Sequence, residues 1–162
     1  MALPINMNYG IEPDVAYKGQ RATSQFFESE TGICTVDMEP AIAVMVDEAT
    51  TKAGRRNHIK EFDGTGPLAG VLLWTPARLE MTEDGKTIYR KGSMATVVVN
   101  GILWVEVDAA VKSGAPAYYS GGKFTETETG KPVGFFKSKT DGAGLAKLKI
   151  DLGMQYAVAA GA

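Results

Sequence analysis

The strongest constraint on the fold is Asn100-Gly101, which lies between two six-residue runs of β-forming residues, Met94 to Val99 and Ile102 to Val107. Asn-Gly tolerates the two positive φ angles of a type I′ turn, so this pattern predicts a β-hairpin with a two-residue loop. Both runs are apolar at nearly every position. We therefore expect both faces of this hairpin to be covered, by the other half of a barrel or by a neighbouring subunit.

Other short runs of β-branched and aromatic residues predict further strands. One hairpin is expected to join residues 22–27 to 33–36 through a turn at Glu30-Thr31-Gly32, and another to join 116–119 to 123–125 through Ser120-Gly121-Gly122. Single strands are predicted at 41–46, 71–74, 133–136 and 145–150. Residues 41–46 also fit one buried helical turn, residues 47–66 suggest a long loop or small hairpin, and a short helix is possible near 108–112.

About nine or ten short strands and no long amphipathic helix predict an all-β fold. We expect a single barrel-like or sandwich domain of short antiparallel strands over residues 20–162, preceded by an extended N-terminal arm at 1–19. The arm carries spaced hydrophobic residues that suggest packing on its own barrel or on a neighbouring subunit. Those that we predict as contact residues are Leu3, Ile5, Met7, Tyr9, Ile11 and Tyr17.

Charge and composition exclude several classes of function. The net charge of −2 and a pI near 5.5 give no electrostatic reason to bind nucleic acid or an anionic membrane. There is neither a signal peptide nor an apolar run of membrane-spanning length, so we expect a soluble protein.

The single Cys34 rules out a disulfide framework and fits a reducing compartment. Residues 1–50 hold eight acidic and two basic residues, most simply explained as a solvated acidic face.

The sequence carries no recognisable catalytic, metal or cofactor motif. The single His58 lies in a basic run at Lys52 to Lys60 and is interpreted as a solvated loop histidine, and Cys34 as a small buried hydrophobic residue. The glycine-rich segment 141–147 lacks the Gly-Lys-Ser/Thr ending of a phosphate loop. We therefore predict a protein that binds and holds a partner, without catalysis and without a cofactor or metal.

Three aromatic residues on one predicted hairpin leave a second interpretation open. Tyr118, Tyr119 and Phe124 could stack on a sugar, although aromatic cross-strand pairs are more often plain sheet packing.

The order of these elements resembles the structural cement, or head decoration, proteins of tailed bacteriophages. The similar segments are 16–20, Gly70-Val71, 91–93, 111–119 and 132–134, within a likeness that covers about residues 15–152. They are hydrophobic and glycine positions that specify a fold. The basic segment 51–66 departs from the family pattern, and whether it is a capsid-contact loop or an exposed insertion stays open.

The resemblance implies a non-enzymatic virion structural protein with a barrel-like or tulip-like domain. Such a protein binds the outer surface of the expanded capsid, after assembly in the host cytoplasm, and clamps neighbouring major capsid protein subunits. It usually forms a symmetric oligomer, here expected to be a homotrimer, with a dimer as the alternative. Two other functions remain open: a head-fibre or carbohydrate-binding β module displayed on the virion, and a small enzyme whose carboxylates come together across subunits.

Overall fold

The computed structural model describes residues 16–23 and 27–152, which form strands and loops and contain no helix. The strands in chain order are β1 (Glu28–Cys34), β2 (Ala43–Val46), β3 (His58–Glu61), β4 (Leu68–Leu72), β5 (Glu80–Met81), β6 (Thr87–Ile88), β7 (Met94–Val107), β8 (Pro116–Ser120), β9 (Lys123–Thr125), β10 (Gly134–Phe136) and β11 (Gly144–Asp151). The all-β prediction is confirmed.

The longest strand, β7, is a continuous strand of 14 residues that runs straight through Asn100-Gly101. The predicted hairpin at these two residues is therefore wrong. Its two runs pair with distant strands instead of with each other: Val97 and Val98 lie between β1 and β4, and residues 100–107 pair with β11. Gly101 has a φ of +153°, a backbone conformation that residues with a side chain rarely adopt. The glycine therefore permits a local irregularity within the strand.

Two closed rings of strands share β7. In the first ring, the N-terminal half of β7 joins β1, β3, β2 and β4. In the second ring, its C-terminal half joins β11, β10, β8 and β9, and a parallel pair between Val107 and Phe124 closes the circle. The architecture is therefore barrel-like. Burial alternates along the C-terminal half of β7, where Ile102, Trp104 and Glu106 are half-buried, so the expectation that both faces are covered holds only at Val97 and Val98.

The hydrophobic core forms two clusters that meet across β2 and β4. Val44 and Leu72 belong to the cluster of the first ring, whereas Ala43 and Val71 pack with the larger cluster of the second ring. Successive residues of a strand point to opposite faces, so β2 and β4 are buried on both sides. The two rings are thus held together by one shared layer of strands.

Two further local predictions are wrong. Glu30-Thr31-Gly32 lies inside β1 and not in a turn, while residues 24–26 of the predicted partner strand lie outside the described residues. A Cβ at Gly32 would stand 2.7 Å from the side chain of Ile59, so this glycine permits close packing of β1 on β3. The possible helix near 108–112 is irregular chain, in which Val111 bridges to Thr140.

Most of the remaining strand predictions are confirmed. These are the strand at 41–46, the hairpin of β8 and β9, the strands β10 and β11, and a small hairpin of β2 and β3 that includes part of residues 47–66. The strand predicted at 71–74 is β4, which begins earlier and ends at Leu72. The short hairpin of β5 and β6 was not predicted.

Gly134→Ala tests the close contact between β10 and β11. A Cβ at this position would overlap the backbone carbonyl oxygen of Lys149, which cannot move away without disturbing the pairing of β11. We expect the free energy of unfolding to fall by about 1–3 kcal/mol, the usual effect of overpacking. Urea unfolding followed by tryptophan fluorescence measures it. Gly144→Ala is the matched control, because a Cβ there meets no atom within 4 Å, and equal losses in both variants would contradict this account.

Candidate interaction surface at the base of the N-terminal arm

Residues 19–22 run beside β7 and join it through backbone hydrogen bonds and an isolated bridge between Arg21 and Leu103. The backbone nitrogen of Gly19 donates to the carbonyl oxygen of Trp104 (2.6 Å), and the nitrogen of Trp104 donates to the carbonyl oxygen of Gln20 (2.9 Å). On the other side, the nitrogen of Trp74 donates to the carbonyl oxygen of Gly19 (2.8 Å). These bonds fix Gly19 between the end of β4 and the C-terminal half of β7, and Tyr17 and Lys18 just before it also contact the body.

Gly19 is required at this entry point for two reasons. Its φ is +83°, in the left-handed region that favours glycine. A Cβ would also lie 3.0 Å from the nitrogens of Ala41 and Trp74 and from the Cβ of Pro40. This glycine belongs to the segment 16–20 on which the family resemblance was based, so that part of the resemblance has a structural cause.

The described part of the arm presents one aromatic side chain to solvent. Tyr17 is 61% exposed, and its ring stacks on Trp74 with the centroids 5.4 Å apart and the planes at 11°. Stacking covers one face of the tyrosine and leaves the other available to a partner. The remaining predicted contact residues lie outside the described residues: Leu3, Ile5, Met7, Tyr9 and Ile11.

An ion-pair network surrounds Lys18. Its ammonium contacts the carboxylate of Glu39 and lies 3.8 Å from that of Glu106. Lys86 approaches Glu39 at 3.6 Å, and Lys123 approaches Glu106 at 3.3 Å. Partly exposed pairs like these each contribute little to stability. Their shared effect is to hold Lys18 in one place on the body.

Together these contacts define the arm-base surface, a shallow cleft lined by Tyr17, Lys18, Glu39, Pro40, Trp74 and Lys86, with Gly85 and Thr87 at its side. The pKa of the Glu39 carboxyl is lowered, chiefly because the Lys18 ammonium donates a hydrogen bond to it. The Glu39 carboxylate therefore stays charged to a lower pH than a free glutamate does. The surface combines an exposed aromatic ring with fixed charges of both signs, a composition suited to protein contacts.

Sequence reasoning identified Tyr17 but missed the other members of the arm-base surface. Trp74 was treated as the end of an apolar strand, and Glu39 as one of many scattered acids. Both lie far along the chain from Tyr17, and no periodic pattern connects them. The one available signal was the sequence Tyr17-Lys18-Gly19, in which an aromatic and a basic residue precede a glycine.

The hairpin aromatics pack inside the body. Tyr119 is 4% exposed and Phe124 fully buried, with their rings in an edge-to-face contact at 5.1 Å. The Tyr119 hydroxyl donates to Glu61 Oε1 (2.6 Å), and burial together with this carboxylate raises the pKa of the tyrosine. The interpretation as sheet packing is confirmed for both residues, so neither can stack on a sugar. Ser120 and Gly121 at the hairpin tip are exposed, as expected.

Cys34 is buried, as predicted, and burial raises the pKa of its thiol to about 11. His58 is half-buried at the start of β3, so its interpretation as a solvated loop residue is wrong. Across residues 16–23 and 27–152, no group of three or more His, Cys, Asp or Glu side chains is arranged to hold a metal ion. In the same part of the chain, no helix is long and apolar enough to cross a membrane.

The basic segment forms the connection between β2 and β3. Lys52, Arg55 and Arg56 are all exposed, and the Arg56 guanidinium donates to the sulfur of Met94 at 3.2 Å. In the turn that follows β3, the carboxylate of Asp63 accepts hydrogen bonds from Thr65 and Gly66, which lower its pKa to about 2. The connection between β2 and β3 therefore lies on the surface of the first ring.

Comparison with known proteins places this architecture among phage proteins. Residues 5–151 match the family model described as "Structural cement protein (E217 gp24/Pam3 gp6)". Among solved structures, the chain is similar to the head fiber gp8.5 N base of bacteriophage phi29, with a TM-score of 0.52 and 12% identity over 78% of this chain and 95% of that one. At this identity the likeness concerns the fold. No curated protein matches the sequence.

The pH dependence of the free energy of unfolding of the Lys18→Met variant tests the ion-pair network. Because the pKa of Glu39 is lowered in the folded protein, its pairing with Lys18 stabilises the fold above the ordinary glutamate pKa, about 4.3, and this contribution is lost as the pH falls through the lower folded value. We expect the variant to lose about 0.2–1 kcal/mol at pH 7, and this loss to shrink progressively as the pH is lowered below the ordinary glutamate pKa, measured by urea unfolding. Lys139→Met is the control, since Lys139 and its neighbour Asp141 are both exposed and 4.0 Å apart. A loss independent of pH would contradict the assignment.

Proposed function

Because the chain belongs to the structural cement protein family of phages, we propose that it binds the outer surface of the expanded capsid and clamps neighbouring major capsid protein subunits. The family match over residues 5–151 is the observation that carries this proposal. We propose no catalytic step, since a clamp acts through contacts alone.

The physical basis of such a clamp is selective binding. A protein that binds the assembled shell better than its separated subunits stabilises the shell by mass action. Binding across a junction requires a body that keeps its shape under load. The two rings that share β7 supply such a body, because each strand of β2, β4 and β7 is held on both edges.

We further propose that the arm, residues 1–19, reaches a neighbouring subunit or the capsid. The support is the fixed position of residues 17–19 on the body, together with the exposed ring of Tyr17. Several such arms in a homotrimer, or in the alternative dimer, would add their weak contacts as avidity. The hydrophobic residues from Leu3 to Ile11 are the proposed contacts within this arm.

The fold likeness to the head fiber gp8.5 N base of phi29 keeps a fibre-base role as the second candidate. A fibre base and a cement protein would both attach to the capsid. They differ because a fibre base also supports a fibre that projects from the capsid, whereas a cement protein does not. A glycan-binding role is not favoured, because the burial of Tyr119 and Phe124 leaves only Tyr118 of the three aromatics partly accessible.

Co-sedimentation with expanded and unexpanded shells that lack this protein tests the main proposal. We expect saturable pelleting at a fixed number of copies per capsomer with expanded shells, and none with unexpanded shells. Sedimentation velocity of the purified protein gives its oligomeric state beforehand. A folded sample that pellets with neither kind of shell would overturn the cement role.

Deletion of residues 2–15 tests the role of the arm. The deletion ends before Ala16, so the contacts of Tyr17, Lys18 and Gly19 with the body remain. We expect pelleting with expanded shells to fall at least about tenfold, a loss of roughly 1.4 kcal/mol, with an unchanged β-rich circular dichroism spectrum. The control replaces residues 2–15 with a Gly/Ser sequence of equal length, and should also lose binding. Undiminished binding by the deletion variant would refute the proposed contacts.

A further inference from the structure

The hairpin of β5 and β6 stands apart from the main sheet. It forms a separate two-stranded sheet, which a bridge between Met38 and Tyr89, just after β6, ties to the body. Arg90 adds ion pairs to Asp37 and to Glu80 of β5. A two-stranded hairpin is only marginally stable on its own. This hairpin therefore gains stability from a further surface that packs on it.

The outer face of the hairpin presents a methionine to solvent. Ile88 of β6 is buried and so marks the face that packs on the body. Met81 and Thr87 pair one position further along the hairpin, so their side chains point to the opposite face. Met81 is 75% exposed, the largest value among the exposed large hydrophobic side chains of the described residues. Methionine is enriched at protein interfaces, and this one is held outward on a defined hairpin.

Two more exposed hydrophobic side chains border the segment that runs from β5 to the start of β7. Met94 is the first residue of β7 and is exposed. Val36 is also exposed, and it follows closely on Cys34, whose carbonyl oxygen accepts a hydrogen bond from the nitrogen of Gly92 (2.8 Å). Together with the hairpin methionine, these residues place much of the exposed apolar surface along one segment. Such a concentration indicates a contact surface.

Unpaired charges of opposite sign lie at the two ends of this segment. The turn of the hairpin carries Glu83 and Asp84, both exposed, which we call the acidic tip. At the other end, the connection between β2 and β3 contacts the first residue of β7 and exposes Lys52, Arg55 and Arg56, which we call the basic loop. Among the described residues, no salt bridge includes any of these five side chains. Their charges are therefore available to a partner.

A second copy of this chain fits both charged ends at once. A surface with unpaired charges of both signs is self-complementary, because the acidic tip of one copy can face the basic loop of another. The exposed methionines would then be buried beside the charge pairs, as in the core of an interface. A partner of a single charge sign would instead satisfy one end and repel the other.

We propose that Met81 and the acidic tip of one copy pack against Met94 and the basic loop of a second copy. This inference rests on the self-association proposed above and names the surface that forms it. It also gives the basic loop a role, as a contact between copies of the chain.

Sedimentation velocity of charge-reversal variants tests this contact. One variant carries Glu83→Lys with Asp84→Lys, and the other carries Lys52→Glu with Arg55→Glu. We expect each to raise the dissociation constant of the oligomer at least about tenfold, because like charges then face each other. A third variant carries all four changes and restores the pairing with its signs exchanged. We expect its dissociation constant to return to within about threefold of the original, the signature of two patches that contact each other.

A matched control reverses two exposed charges in the connection between β10 and β11, Lys137→Glu with Lys139→Glu. It should leave association unchanged, and circular dichroism checks that every variant keeps the β-rich fold. The unmodified protein supplies a test that needs no substitution. Its dissociation constant should rise as salt is increased from about 0.05 M to about 0.5 M, because exposed charge pairs are screened.

The outcomes separate this contact from the capsid function. A protein that stays monomeric, an oligomer that neither reversal nor salt weakens, or a four-residue variant that stays dissociated would each overturn the proposal. Reversal variants that keep their oligomer but no longer pellet with expanded shells would assign the surface to the capsid and refute its role between copies. Conversely, association as expected, without pelleting of the unmodified protein, would overturn the cement role and support this contact.

Discussion

The rest of the structure depends on the pairing of β7 along both of its edges over nearly its whole length. This one strand takes part in both rings, so its residues bury the two core clusters and its backbone sets the register of β1, β4 and β11. Gly101 lets the strand pass from one set of neighbours to the next without ending.

The arm-base surface follows from the same strand. Residues 19–22 bond to the edge of β7 near Trp104, on which the second ring also depends, and Glu106 of β7 helps to hold Lys18. The base of the arm is therefore anchored on β7, the strand that both rings share.

Local patterns predicted well those elements that are stabilised locally. The hairpin of β8 and β9 and the alternating strand β11 were predicted within a residue or two, because their turn residues and side-chain period are properties of the adjacent sequence. Asn100-Gly101 and Glu30-Thr31-Gly32 misled for the opposite reason. Their glycines are required by strands that lie far away in the sequence. Gly32, for example, leaves room for Ile59 of β3. Of the arm-base surface, Tyr17 was predicted but Trp74 and Glu39 were not, since their contact with the arm arises from folding.

The amino-acid sequence by itself determined that the chain is all-β and that its segments around Gly19, Gly70 and Gly134 resemble the cement protein family. Tertiary structure alone decided which strands share β7 and which distant residues contact Tyr17 and Lys18 at the base of the arm. The physical reason is that β-pairing is non-local. A run such as Val97-Val98-Val99 specifies that it will be buried, but its partners are selected by how the whole chain closes its edges and fills its core.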